Sequence, residues 1–362
     1  LNMSAERRTA LIEQVASIIE DEVKPELTEL VSALESMLPH APTYEIGLNQ
    51  YPLGSEYYQA ILSHHLTASM TAEQMYQAGL EELTSVQETM RAEFDLLGYP
   101  SHYTLEQFYQ LLEESAPMVE KEQVVSTFES LLSDVNTKIE GAFHAMSVPS
   151  LSVVASHQDG YYPASKDGTE SGRFVADTRN NRPYYLMPSL AYHEGVPGHH
   201  MQSSITQSLA LPLIRTQPRI TAYVEGWAMY VERLAFELGW YEGDELANLG
   251  RLQWEVLRVA RLVADIGVNT KGWGWDETVT FLMENTGLPE SMVSEFVPRF
   301  VVNPGQATAY TFGMMELLAI RKQVEQAAGE EFSLADFHQT ILGAGPMPLF
   351  LLKQQFDEIP VE

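Results

Sequence analysis

The chain of 362 residues is 45% hydrophobic and 20% charged, a composition that supplies a large buried core and excludes intrinsic disorder, collagen-like repeats and small disulfide scaffolds. Its 21 Lys and Arg against 50 Asp and Glu leave a formal charge of −29, which repels polyphosphate, so neither nucleic acid nor an anionic lipid surface is an expected partner. With no cysteine, the chain has no disulfides, thiolate metal sites or cysteine nucleophiles.

No stretch approaches the ~18 uncharged apolar residues of a transmembrane span. Residues 1–20 carry Glu6, Arg7, Arg8, Glu13 and Glu20 where a signal peptide would be apolar. The chain starts at Leu1 with Met third, as a mature or truncated form would.

The first 150 residues hold 24 acidic and 6 basic side chains. Their apolar residues recur at helical spacing, as in Leu11, Val15, Ile18 and Ile19, then Val23, Leu27, Leu30, Val31, Leu34 and Leu38. The pattern predicts amphipathic helices with acidic, solvated outer faces, interrupted at Pro25. Residues 39–58, rich in Pro and Gly, read as a loop. Further helices are expected at about 71–97, opened by Thr71, and at about 104–115 and 119–145. From 147 to 188 prolines, glycines and short β-branched runs predict two or three strands turning at DGTESG, residues 167–172. Helical spacing then returns, at about 189–196, 218–239, 243–267, 275–286, 290–298, 304–328 and 333–342. The expected organisation is an acidic helical part, 1–146, continuous with a second part, 147–362. The whole reads as a mostly α body with a small β insert beside the chemistry.

That chemistry is carried by LAYHEGVPGHHMQ, residues 190–202. His193 and Glu194 form the first half of a zinc-protease helix, in which the histidine binds metal and the adjacent carboxylate is the general base. The familiar spacing needs a second histidine at 197, where Pro197 stands; the next are His199 and His200. On a continuous helix His199 would lie about 240° around from His193, and His200 would lie nearly in phase but ~10 Å along the axis. Neither meets a shared ion at ~2.1 Å, so the helix must break or bulge at Pro197-Gly198. A third ligand is expected from a later helix, TAYVEGWAMYVERLAFELG, residues 221–239. Glu225 is the candidate, followed by Gly226, which admits close backbone approach. Glu232, two turns on, is expected to support the site rather than bind metal. Trp227, Tyr230, Leu234 and Leu238 read as a core stripe, and His64 and His65 as a helix N-terminal or cleft-wall pair.

The strings HEGVPGHHMQ, YVEGWAMYVERL, RLVADIG, NPGQATAY and FHQTILGAGPMPL, in this order, resemble the bacterial family catalogued as domain of unknown function 885, many of whose members are putative lipoproteins. The likeness runs from about residue 10 to the C-terminus. It implies a helical metallopeptidase-like body akin to thimet oligopeptidase and thermostable carboxypeptidase, one zinc ion, and an extracytoplasmic full-length protein, periplasmic or lipid-anchored, that is longer at its N-terminus. It favours His199 over His200 as ligand and leaves His200 as a supporting or packing residue. Where relatives often carry a histidine this chain has Asn269, to which no role is given. The resemblance also implies a tyrosine on a C-terminal helix that hydrogen-bonds the oxyanion, a role that falls to Tyr310. Arg321, about 20° out of phase with Tyr310 and ~16 Å along the same helix, is a candidate partner for a substrate carboxylate.

The function expected is hydrolysis of short peptides by a zinc-dependent metallopeptidase through a metal-activated water, with residues 161–178 forming the β edge against which the peptide lies extended. The alternative is a binding or scaffold protein that keeps metal for stability alone. Glu194 beside His193 favours the enzyme, because a structural site wants a fourth ligand and no base.

Overall fold

The computed structural model describes residues 3–40, 44–144, 148–165, 169–216 and 219–357. It divides into two compact units, Leu1–Tyr44 and Glu45–Glu362, so the acidic helices after residue 44 share one unit with everything downstream.

In the first unit α1 (Ala5–Ile18) is capped by Ser4, whose side chain accepts from the Arg7 amide. It runs through a π turn (Ile19–Val23) into α2 (Lys24–Met37). Pro25 does not interrupt the run as expected. It sits in the first turn of α2, and the wider π turn before it accommodates the missing amide and the ring. The apolar stripe from Leu11 to Leu38 is exposed, each side chain by 40% or more, because a lone helical run has nothing of its own to bury the stripe against.

The second unit begins with α3 (Gly54–Leu66), α4 (Ala72–Leu96) and α5 (Leu105–Ser115). Capping boxes Thr71/Gln74 and Thr104/Gln107 open the latter two, satisfying amides that a helix start leaves unpaired. The helix expected over 119–145 is shorter and split. A two-residue strand β1 (Met118–Val119) and a 3-10 turn precede α6 (Val124–Ser133) and α7 (Val135–Lys138). The insert holds β2 (Leu151–Ser156), β3 (Gly160–Tyr162) and β4 (Gly172–Asp177), followed by β5 (Arg182–Pro183), which pairs antiparallel with β1. Strand order is β2-β4-β3, with β2 parallel to β4 and β3 antiparallel to it. Of the expected DGTESG turn, residues 167 and 168 lie outside the described residues.

Further helices follow: α8 (Met187–Glu194), α9 (His199–Ser208), α10 (Leu213–Thr216), α11 (Thr221–Glu237), α12 (Glu245–Thr270), α13 (Trp275–Thr286), α14 (Glu290–Val293), α15 (Val297–Val302), α16 (Thr308–Ala328) and α17 (Leu334–Ala344). A final α18 spans Leu349–Asp357. Among the described residues no helix is long and apolar enough to cross a membrane.

The organising element is α12. Leu262, Val263 and Ile266 face one hydrophobic core with α3, α11 and α16, while Leu252, Val256, Val259 and Ala264 face a second with α4, α5 and α13. A helix buried on both sides has no solvated face, so its polar groups need internal partners. Arg251 pairs with Glu255, and Glu255 with Arg233, which also reaches Glu82. Asn269 accepts from the Leu48 amide at 3.1 Å and donates to the Phe300 carbonyl at 3.0 Å, a stitching role. Asp265 Oδ1 accepts from the Tyr58 hydroxyl and the Gly305 amide, both at 2.7 Å. Burial pushes the Asp265 carboxyl up to about 7, against those hydrogen bonds and the charge of Arg261.

Helices α11 and α16 touch at backbone level. A Cβ on Gly226 would lie 2.4 Å from Gly313 Cα, and one on Gly313 2.0 Å from the Ala222 carbonyl oxygen. Gly226→Val should therefore destabilise the fold by about 3 kcal/mol, since neither backbone can yield without moving a helix. Gly343→Ala, whose new methyl meets only the end of Gln339, should instead leave stability equal or raised by about 0.5–1 kcal/mol. Urea unfolding of both variants checks the contrast.

The raised Asp265 gives a second expectation. Native Asp265 binds its proton up to about pH 7 and the unfolded residue only to about 4, so its contribution to stability is present at low pH and is lost as pH rises between those values. The slope is at most about 1.4 kcal/mol per pH unit. Asp265→Asn should remove this component, read as a flatter denaturation midpoint from pH 4.5 to 7.5 relative to wild type.

Candidate metal centre

The helix break deduced from residue spacing is present. α8 ends at Glu194, the chain turns through Gly195-Val196-Pro197-Gly198 with a cis Val196–Pro197 bond, and α9 opens at His199. Gly198 is required by contact. A Cβ there would lie 2.0 Å from the His193 carbonyl oxygen and 2.3 Å from that of Tyr192. The turn is tied on both sides, by the His200 amide to the Gly195 carbonyl at 3.1 Å and by the indole N–H of Trp227 to the Pro197 carbonyl at 2.9 Å.

Folding back in this way brings His193 and His199 together, their rings 4.7 Å apart and nearly perpendicular. α11 supplies Glu225 opposite. One ligand atom from each of His193, His199 and Glu225 lies within 4.8 Å of the others, and all three residues are buried. His199 Nε2 and Glu225 Oε2 are 3.3 Å apart. Two donors each ~2.1 Å from a tetrahedral ion stand about 3.4 Å apart, so this pair already fits one.

The surrounding residues fix the first of these ligands. Glu232 Oε1 accepts from His193 Nδ1 at 2.6 Å, leaving Nε2 to face Glu225 and His199. Glu232 is itself held by the Ser189 hydroxyl and by Arg258 Nη1 at 3.0 Å. Burial alone would raise Glu232, but Arg258 and then His193 hold its carboxyl below the ordinary value. The Glu225 carboxyl is also lowered, to about 2. Its desolvation is overcome by His199 and by Arg219, whose guanidinium bonds Glu225 Oε1. Burial works against the His199 proton, yet Glu225 holds the imidazole above its usual range.

Two buried polar atoms here have no hydrogen-bond partner, Glu194 Oε2 and His199 Nδ1. Unpaired carboxylate oxygen is costly in a dry setting and signals a missing partner. Desolvation, with some help from Glu225 and against His193 and His199, keeps Glu194 above the normal carboxylate range. A divalent cation with its water would satisfy this donor set of two imidazoles, one carboxylate and an adjacent free carboxylate.

These residues line a cleft of about 1020 Å³. Tyr310, in the first turn of α16, lines it too, and its ring lies under the Arg261 guanidinium at 5.6 Å. Across the cleft Tyr161, on β3, lays its ring along His199 and meets His200 Nδ1 at 3.2 Å. His200 Nε2 meets the Pro149 carbonyl at 2.7 Å, so His200 ties the β insert to α9 and is not among the clustered ligands.

Several expectations change. Arg321 does not face the cleft, because Glu237 from α11 and Glu325 from its own helix take its guanidinium at 2.6 and 2.8 Å. Helical phase was right but did not reveal which neighbour covers that face. Residues 161–178 are not one free β edge either. β4 is the middle strand, paired on both sides, and only the three-residue β3 borders the cleft with an unpaired side. His64 and His65 end α3 rather than begin it, with His65 Nδ1 3.3 Å from the Thr221 hydroxyl. Of the core stripe, Trp227, Tyr230 and Leu234 are buried, while Leu238 at the helix end is 36% exposed. Sequence reasoning missed Ser189, Arg258 and Arg219. Arg258 had a signal, a charge inside the apolar run of α12; the other two had none.

A family model described as "Bacterial protein of unknown function (DUF885)" matches residues 1–356. The crystal structure of a putative lipoprotein from Colwellia psychrerythraea is similar with a TM-score of 0.93 at 30% identity, over 98% of this chain. This chain spans 63% of that one's length. A putative lipoprotein of unknown function from Shewanella oneidensis is similar at a TM-score of 0.77 and 20% identity, over 99% of this chain and 68% of its own, which shows a shared fold. No curated protein matches. With its family model covering all but the last six residues, the chain belongs to the bacterial DUF885 family.

Proposed function

We propose that this chain is a zinc-dependent metallopeptidase acting on short peptides, with a helical metallopeptidase-like body. The observation that carries the reading is the convergence of His193, His199 and Glu225 beside the unpartnered, buried carboxylate of Glu194. Three protein ligands leave a coordination position open, as catalytic zinc sites do. The lipoprotein description of the two relatives supports an extracytoplasmic, lipid-anchored location for the full-length protein.

When bound, zinc supplies Lewis acidity that polarises the scissile carbonyl and lowers the pKa of water toward ~7. The chain's own groups do the rest. Glu194 takes the proton of the attacking water at Oε2 and returns it to the departing amine, a task suited to a carboxyl whose pKa burial has raised. Tyr310 donates its hydroxyl to the developing oxyanion. Glu232, steadied by Arg258 and Ser189, keeps His193 in one tautomer and orientation. The acidic walls and recessed position favour short flexible peptides over folded acidic proteins.

Purified protein should take up one zinc per chain, measured by elemental analysis and competition with a chromogenic chelator. His193→Ala, His199→Ala and Glu225→Ala should abolish uptake, Glu232→Gln should weaken it about 10–100-fold, and His200→Ala should leave it nearly intact. Retention of zinc by His193→Ala would overturn the ligand assignment.

In a mixed-peptide cleavage assay Glu194→Gln should keep zinc and peptide binding while lowering kcat by about 10²–10⁴. Tyr310→Phe should lower kcat with KM little changed, by about 10²-fold. A chain that binds zinc and cleaves no peptide would instead be the metal-stabilised scaffold.

A further inference from the structure

The cleft has a charge pattern that the proposed hydrolysis does not use. Among the described residues lining it, Asp159, Glu170, Glu194 and Glu225 are acidic, and one side chain, Arg219, is a lysine or arginine. Asp159 is already neutralised by Arg182 at 2.9 Å, and Glu170 faces Arg173 at the cleft margin. Arg219 is built differently from the other arginines near the site. Arg258 is buried and committed to Glu232, whereas the Arg219 side chain is 64% exposed, with one terminal nitrogen on Glu225 Oε1. A guanidinium carries five N–H donors in a planar fork, so the bond to Glu225 leaves donors over for a ligand in the cleft that Arg219 lines.

Resting on the metallopeptidase reading, we propose that Arg219 is a specificity-determining residue that binds a substrate carboxylate next to the cleaved bond. Among the described lining residues the fork of Arg219 is the one lysine or arginine group offered to an entering anion, and it therefore selects both the charge and its position. Position follows from reach. Arg219 is one carboxylate's breadth from the clustered ligands, and a residue of extended chain advances ~3.3–3.6 Å. The group it meets therefore lies within one or two residues of the scissile carbonyl. Two sources offer that carboxylate, the C-terminus of a peptide cut near its end and an Asp or Glu side chain beside the cut. The role first given to Arg321 by helical phase thus falls to Arg219, because Arg321 is enclosed by Glu237 and Glu325.

The test compares wild type with Arg219→Gln and Arg219→Lys on three blocked peptides of one sequence: a free acid, its C-terminal amide, and the amide with Glu beside the cleaved bond. Peptide affinity is measured by calorimetry, and kcat/KM where turnover occurs. Zinc content of each variant is determined in parallel. Arg219→Gln should weaken binding of the carboxylate-bearing peptide roughly 10–100-fold more than binding of the neutral amide, mainly through KM. Arg219→Lys should recover part of the loss, because it restores charge without the fork. Selective loss on the free acid identifies the terminus, and selective loss on the Glu peptide the side chain. Equal effects on all three peptides, or loss of zinc from Arg219→Gln, would overturn the proposal and leave Arg219 as a positioning residue for Glu225. The affinities are read without turnover, so a protein that cleaves nothing refutes the peptidase reading while the carboxylate reading still stands or falls on binding.

Discussion

Everything at the centre depends on a helix that stops. Glu194 ends one helix and His199 begins the next, and the four residues between fold the chain so tightly that position 198 has no room for a side chain against the carbonyls of Tyr192 and His193. A continuous helix would hold the two imidazoles on different faces; the break puts their rings 4.7 Å apart. The backbone geometry at one glycine is thus what converts a helical sequence into a cluster of donors. Trp227 and Glu225, from a helix that follows in sequence, then fix the turn and complete the cluster.

The rest of the unit keeps this arrangement rigid by burying charge in matched sets. α12 runs between two apolar cores and carries Arg251, Glu255, Arg258, Arg261 and Asp265 into them. Such groups are tolerable only with partners, and several of their partners belong to other elements: Arg233 on α11 for Glu255, Glu232 on α11 for Arg258, and Tyr58 on α3 and the Gly305 amide ahead of α16 for Asp265. Each bond therefore fixes one helix against another. Arg258 links this framework to the centre itself, since the carboxylate it holds is the one that orients His193.

Local rules were legible in the sequence, and so was one non-local deduction. The capping threonine at 71 announced its helix, and the impossibility of placing His199 on a continuous helix announced the break. Glu232 was readable as a supporting residue because seven residues from Glu225 is two turns along the same face. What stayed hidden depends on which element lies opposite. Arg321 has the expected phase, yet Glu237 covers it, and periodicity on one helix says nothing about its neighbour. β4 looked like an edge because strand order is set by pairing across the insert. Arg219 is six residues before Glu225 in a Pro-containing stretch with no periodic signal, so its aim into the cleft is a property of the fold alone.

The bond between Trp227 and Pro197 also gives the centre an optical signature. The chain has five tryptophans, and Trp227 is the one with no solvent exposure, packed against Phe143, Tyr230 and His338 with its N–H on the very turn that sets the histidines. Indole emission moves to longer wavelength when the ring meets water. The blue edge of the protein's intrinsic fluorescence is therefore weighted toward the residue that holds the helix break, and any ligand or ion that tightens or loosens that turn changes the light emitted without a label being attached.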